Sequence, residues 1–357
     1  MPTNVAKPSV ASAAGADLSV SPSVHLSVPS SRPLSSFPFP PSPALAPLAI
    51  VGNLNVDQWV GPVDRLPSWD EELVVDSARI ELAGTAGYLL RACRGLGWDA
   101  YAVSTVGDDV FGKVVLAEMA ELGLDSSGVE VVPGAETCLG IIFVGPDGRR
   151  SILGTLGAHA LMDPAMAQRH DARVAACPEV LLCGTYLLPR FGPAAALPYA
   201  RRLRSRGQTV VFDPSWDPSG WGEPTRRDTL ALLAEVDVYL PNDQELTRLT
   251  GEPDWQAALD IVAGVVGEIV LKRGPLGAVY RRGDEQVAAP GLVVNAVNTI
   301  GAGDTFDAGY LYARRLGHSP LGRLRFANAL AAMVVSQPGR RAYPDAAAVE
   351  AVIGGAP

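Results

Sequence analysis

The chain has 357 residues, 48% of them hydrophobic and 19% charged. That is enough for one large α/β domain with an appendage, or for two ordinary domains, and it excludes wholesale disorder. No apolar run approaches the roughly 18–20 residues of a membrane span. The net charge of −9 excludes a nucleic-acid surface, because the Arg-dense stretches 201–206 and 340–341 are too short to neutralise a phosphate backbone.

Cys93, Cys138, Cys177 and Cys183 show no CxxC spacing and read as reduced thiols of a cytoplasmic protein. His25, His159, His170 and His318 form no HxH or HExxH pair, which argues against a dedicated zinc site. Lys7, Lys113 and Lys272 are the only lysines, so chemistry that needs one has few places to occur.

Residues 1–46 hold nine of the 30 prolines among Ser and Ala, with Lys7, Asp17 and Arg32 as the only charges. This composition predicts a disordered, dispensable tail preceding one domain over 47–357. It contains no compact apolar stretch behind a basic start, so it does not read as a secretory signal. The run 48–56 reads as a buried strand ending in a polar turn at Asp57. Residues 58–82 show β-like alternation, broken at Gly61-Pro62 and at 67–69. A helix follows over 86–95 and stops at Gly95/Gly97, then a strand over 101–105 and a helix over 110–122. Strands 138–144 and 150–156 flank Pro146-Asp147-Gly148, a hairpin signal.

Beyond this point strands at 179–183, 208–212, 237–240 and 268–272 alternate with helices at 193–206, 226–234, 242–250 and 255–265. Such alternation predicts a doubly wound, mostly parallel sheet flanked by helices. Residues 279–297 read as antiparallel edge strands, and helices near 302–316 and 320–336 close the domain. The β-rich excursions 58–82 and 137–156 do not fit a parallel sheet and predict a small projecting β-sheet lid.

The most informative stretch is Asn298-Thr299-Ile300-Gly301-Ala302-Gly303-Asp304-Thr305-Phe306. Gly-Ala-Gly permits close backbone approach, and the N–H groups opening a helix attract an anion such as a phosphoryl group. Asp304 sits beside that anion hole, either as a helix cap or as the base that takes a proton from an attacking hydroxyl. Asn242 and Glu245 follow a strand. They read either as oxygen donors to water-bound Mg²⁺ or as a capping box. Lys272, Arg273, Gly274 and Gly277 end another strand, with two cations and two glycines suited to nucleotide phosphates. Residues 107–114 nearly spell a P-loop, but Val114 has no hydroxyl and Asp108 and Asp109 would repel phosphates.

Across residues 48–345 these motifs resemble the ribokinase-like (PfkB) carbohydrate kinases. Asn298–Phe306 is similar to that family's DTxGAGDxF signature, 51–57 to its first strand, 82–97 to its glycine motif and helix, 106–112 to a further family element, and 241–245 to its NxxE element. The resemblance implies ATP-dependent, Mg²⁺-dependent transfer of a γ-phosphoryl group to a hydroxyl of a sugar or sugar-containing acceptor. It implies Asp304 as base, with Gly301, Ala302 and Gly303 at the anion hole. Asn242 and Glu245 would lie near Mg²⁺–ATP, and Lys272, Gly274, Gly277 and Asn328 near the nucleotide. Asn55, Asp57, Gly84, Thr85 and Tyr88 would line the acceptor site. Two positions depart from the family pattern. Tyr88 stands where a compact Asn is usual, implying a larger, less polar or differently held acceptor. Asn298 replaces an Asp, which leaves a K⁺ requirement open. A nucleoside kinase with Tyr88, Trp59 or Trp69 stacking on a base, and a catalytically idle scaffold, remain the alternatives. An exposed lid edge would invite a homodimer.

Overall fold

All four residues of the strand Leu48–Val51 (β1) are buried, so both of its faces need cover. Leu48 and Ile50 enter one apolar cluster while Ala49 and Val51 enter another, the alternation expected of a strand in the middle of a layered sheet. The computed structural model describes residues 45–145, 150–337 and 342–355.

After β1 the chain forms Asn55–Val60 (β2), Ala78–Ala83 (β3), the helix Gly84–Gly95 (α1), Ala100–Gly107 (β4), the helix Val110–Glu121 (α2) and Val129–Val132 (β5). The hairpin Leu139–Val144 (β6) and Arg150–Gly154 (β7) precedes two short helices, Pro164–Arg169 (α3) and Asp171–Val174 (α4). The alternating half comprises Glu179–Cys183 (β8), Pro193–Ser205 (α5), Thr209–Asp213 (β9), Glu223–Leu233 (α6), Val238–Tyr239 (β10), Asp243–Thr250 (α7), Trp255–Ala263 (α8) and Glu268–Lys272 (β11). Strands Ala278–Arg282 (β12) and Glu285–Ala289 (β13) and helices Ala302–Arg315 (α9), Pro320–Val335 (α10) and Ala346–Gly355 (α11) complete it.

The large sheet runs in the order β13-β12-β11-β10-β9-β8-β1-β4-β5. It is parallel from β5 to β11, with β12 and β13 antiparallel at one edge. Helices α1, α9 and α10 cover one face through residues such as Leu89, Tyr310 and Leu330. Helices α5 to α8 cover the other through Tyr199, Leu232, Leu246 and Leu259. The doubly wound fold read from the sequence is therefore the observed one. The small sheet has the order β3-β2-β6-β7.

Several boundaries differ from the sequence reading. Residues 48–56 are not one strand: the chain leaves β1 at Gly52-Asn53-Leu54 and enters β2 of the small sheet. A Cβ on Gly52 would stand 2.3 Å from Cys183 Sγ, so this crossing needs glycine. Asp57 accordingly lies within β2, paired with Glu81 and Gly140, and not in a turn. Residues 61–77 and 290–297 carry no regular strand. Strand β5, α3, α4 and α11 were not anticipated. The tail as far as residue 44, the hairpin tip 146–148 and Arg340-Arg341 lie outside the described residues. The near P-loop is a helix entry: Asp109 Oδ1 caps α2 by accepting from Gly112 N at 2.8 Å.

Candidate active site

The parallel strands β8, β9, β10 and β11 all end at one edge of the sheet, the edge at which ligands collect in open α/β folds. A cavity of about 750 Å³ lies there. Its polar wall holds Asp213, Asn242, Glu245, Lys272, Ala302, Gly303 and Asp304, and its apolar wall includes Val293, Val294, Phe306 and Val335. Gly274, Gly277 and Asn328 also line it, as do three side chains the sequence did not single out for the site: Arg150, Ser215 and Trp216.

The turn leading into α9 is built by the backbone. Asn298 Oδ1 accepts from Ile300 N at 3.1 Å, closing the approach, and the N–H groups of Val297 and Asn298 donate to Val335 O of α10 at 2.8 and 3.0 Å. Gly301 is the N-cap of α9 in the left-handed region, φ 68°, and has no side chain to cap with. The N–H of Thr305 and its Oγ1 both return to Gly301 O, at 2.9 and 2.7 Å. Asp304 is the acid of the first helical turn and lines the cavity, with Gly301 and not Asp304 as the cap. From the lid, Arg150 Nη1 donates to Thr299 Oγ1 beside this turn.

Beneath the turn lies a buried ionic cluster. Lys272 Nζ contacts Asp307 Oδ2 at 2.9 Å and Asp213 Oδ2 at 3.1 Å. It also lies 3.6 Å from where a Cβ on Gly303 would stand. Burial disfavours the ammonium, but Asp213, Asp307 and Glu245 outweigh it and raise the Lys272 pKa. Burial drives the Asp307 carboxyl well above its usual range despite Lys272. Burial also opposes ionisation of Asp213, yet Lys272 and hydrogen bonds hold that group below its ordinary value. Burial first, then Asp213, raises Glu245 to about 7.

The expected pair of phosphate-binding cations therefore takes a different form. Lys272 faces the cavity but is clasped by two carboxyls. Arg273 Nε lies 3.2 Å from Asp243 Oδ1, and its guanidinium carbon sits 4.0 Å from the Trp255 ring centroid, outside the cavity lining. Asn242 and Glu245 form the full capping box of α7, with reciprocal bonds of 2.9 and 2.8 Å, while both line the cavity. Asn328 donates to Ala289 O and Pro290 O at 3.3 and 3.1 Å, holding the segment that leads into the apolar wall. Gly277, at φ 94°, would bring a Cβ to 2.0 Å from Ala289 O.

The residues expected at the acceptor site sit apart from this wall. Asn55, Asp57, Gly84, Thr85 and Tyr88 are buried and do not line the cavity, although Thr85 Oγ1 lies 3.3 Å from Ser215 Oγ, which does. Asp57 accepts from Tyr88 Oη at 2.9 Å and from Asn55 Nδ2 at 2.8 Å. Trp59 is buried with Arg79 over its ring, and Trp69 is exposed; neither reaches the cavity, whereas Trp216 does. Asp213 and Asp307 could have been suspected from sequence, one as an acid at a strand end and the other one turn beyond Asp304. Arg150 had no signal beyond following the hairpin.

The family model described as pfkB family carbohydrate kinase matches residues 47–346. The chain belongs to the PfkB family. It is similar to the ATP-dependent ribose-1-phosphate kinase of Halopiger xanaduensis, 31% identical over 302 residues, covering 85% of this chain and 96% of that one. Among solved structures it is similar to Arabidopsis thaliana ribokinase complexed with ribose and ATP, with TM-score 0.72, 25% identity, and coverage of 87% of this chain and 100% of that one. A putative ribokinase II from E. coli in complex with ATP and Mg²⁺ shares the fold, with TM-score 0.75, 21% identity, and coverage of 87% and 99%. PfkB membership makes this chain a phosphotransferase acting on a hydroxyl.

Proposed function

We propose that the protein is an ATP- and Mg²⁺-dependent kinase of a sugar or sugar-containing small molecule, with Asp304 as the general base. The observation that carries this reading is that Asp304 and the polarised Ala302–Gly303 backbone line one cavity together with apolar side chains such as Val293, Val294 and Val335. A triphosphate suits the polar end and a purine the apolar end. In the reaction, Asp304 accepts the proton of the acceptor hydroxyl as its oxygen bonds to the γ-phosphorus. The bond from that phosphorus to the ADP oxygen breaks, and ADP carries away the electron pair. The N–H groups at the start of α9 hold the charge of the group in transfer.

No cluster of three His, Cys, Asp or Glu side chains suited to a metal occurs among the described residues. That agrees with Mg²⁺, which keeps its waters and binds mainly through substrate phosphates. Asn242 and Glu245 supply oxygen donors at the cavity wall and would hold the ion through water. When bound, the ion neutralises developing charge on the phosphate oxygens. The four buried cysteines without a disulfide support a cytoplasmic location. Exposed Ile80, Ile152 and Leu153 on the lid strands support a homodimer through the lid, testable by sedimentation.

The test is a phosphorylation screen over pentoses, hexoses, their phosphates, aldonic acids and nucleosides with ATP and Mg²⁺. Transfer to at least one sugar-containing acceptor, lost in Asp304→Asn, is the expected result. Full transfer by Asp304→Asn would overturn the assignment of the base.

A further inference from the structure

We infer that Tyr88 is a specificity-determining residue that bars small free sugars from the place beside Asp57 and so directs the enzyme to substituted sugars. This rests on the kinase reading above and names the kind of acceptor. Three independent contacts carry it. First, Tyr88 Oη donates to Asp57 Oδ2 at 2.9 Å while Asn55 Nδ2 donates to Oδ1 at 2.8 Å, so each carboxylate oxygen already receives a hydrogen bond from the protein. A polyol gripped by Asp57 would find one lone pair on each of these oxygens already engaged. Second, the Tyr88 ring lies against the catalytic turn: a Cβ on Gly301 would stand 2.6 Å from Tyr88 Cγ, so no ligand atom fits between ring and backbone. Third, on the far side of Asp57, a Cβ on Gly140 of β6 would stand 2.5 Å from Oδ1, so the lid backbone closes that flank.

The consequence is geometric. Asp57 and Tyr88 do not line the cavity, whereas Asp304, Thr299, Ser215, Trp216 and Arg150 do. A hydroxyl presented to Asp304 therefore arrives from the side of Arg150 and Trp216. An acceptor held there must span from Asp304 to those side chains, which a substituent on the sugar provides. A free pentose would fit instead in the slot that the phenol fills.

The decisive measurement is ribose binding by calorimetry, without turnover, to wild type, Tyr88→Asn and Tyr88→Phe, each with a non-hydrolysable ATP analogue and Mg²⁺. Tyr88→Asn should bind ribose at least about tenfold more tightly than wild type. Tyr88→Phe frees Asp57 Oδ2 but keeps the ring against Gly301, so its gain should be no more than about threefold, and a melting curve of each variant shows that it is folded. Turnover should then show the ratio of kcat/KM for ribose 1-phosphate or a nucleoside over ribose falling by a similar factor in Tyr88→Asn. Ribose affinity unchanged in Tyr88→Asn, or raised equally by Tyr88→Phe, overturns the role of Tyr88. If ribose binding responds as expected but no variant phosphorylates any acceptor, the role of Tyr88 stands and the kinase reading fails.

Discussion

Replacing Lys272 with Met removes the only cation from the cluster beneath the catalytic turn while nearly conserving volume. Asp213, 3% exposed and 3.1 Å from the lost ammonium, is left without its partner, beside an Asp307 carboxyl that burial already pushes well above its usual range. Breaking a buried pair from one side costs about 3–5 kcal/mol. At roughly 1.5–2 °C per kcal/mol for a domain spanning residues 47–346, the melting temperature should fall by about 5–10 °C. Lys272→Met combined with Asp213→Asn removes both charges and should recover more than half of that loss. The ammonium also ties α9, through Asp307, to the ends of β9 and β11, so the single variant should lose more in kcat than in the KM for ATP. Scanning calorimetry and steady-state kinetics on the two variants check both statements. A Lys272→Met protein melting within 2 °C of wild type, ~1 kcal/mol on this scale, would refute the buried-cluster reading.

Asp304→Asn should lower kcat by roughly 10²–10⁴-fold, the usual worth of a positioned general base, with ATP binding by calorimetry little changed. Glu245, raised to about 7 from 4.5, binds more protons in the folded than in the unfolded state between those values, so it makes the protein less stable as pH rises through that window. Glu245→Gln keeps an acceptor for Asn242 N and should stabilise the ligand-free protein at pH 8 by on the order of 2 kcal/mol, read as a higher melting temperature. The same variant should need more Mg²⁺ for half-maximal turnover. Asn328→Ala removes two hydrogen bonds to the segment at 289–290, each worth about 1 kcal/mol, and should raise the KM for ATP several-fold with kcat nearly unchanged.

The large sheet was readable because its strands are apolar on both faces and are separated by amphipathic helices: 179–183 and 268–272 were placed to the residue. The catalytic turn was readable because glycine spacing is a backbone requirement. Gly301, at φ 68° and with any Cβ 2.6 Å from Tyr88 Cγ, is a position where a side chain meets both strain and collision, whereas a Cβ on Gly303 would make only ordinary contact with Lys272. Features made by side chains meeting across long sequence separations were not readable. β2 looked like the continuation of β1 because Val56 is as apolar as Val51; only the collision that any Cβ on Gly52 would make with Cys183, 131 positions away, marks the crossing. Lys272, read as lying near the nucleotide, does line the cavity, but nothing local reveals that Asp213 and Asp307 also converge on it.

Tyr88 shows the same limit in its most consequential form. As a letter in a helix it signalled only a bulky ring where an amide is usual. Its meaning depends on Asp57, 31 residues earlier in the lid, and on Gly301, 213 residues later in the catalytic turn. A single side chain thus touches the lid strand, the glycine helix and the anion turn at once. Membership of the PfkB family was legible in a local pattern, whereas the acceptor selection we infer for Tyr88 rests on a three-way contact that only the folded chain assembles.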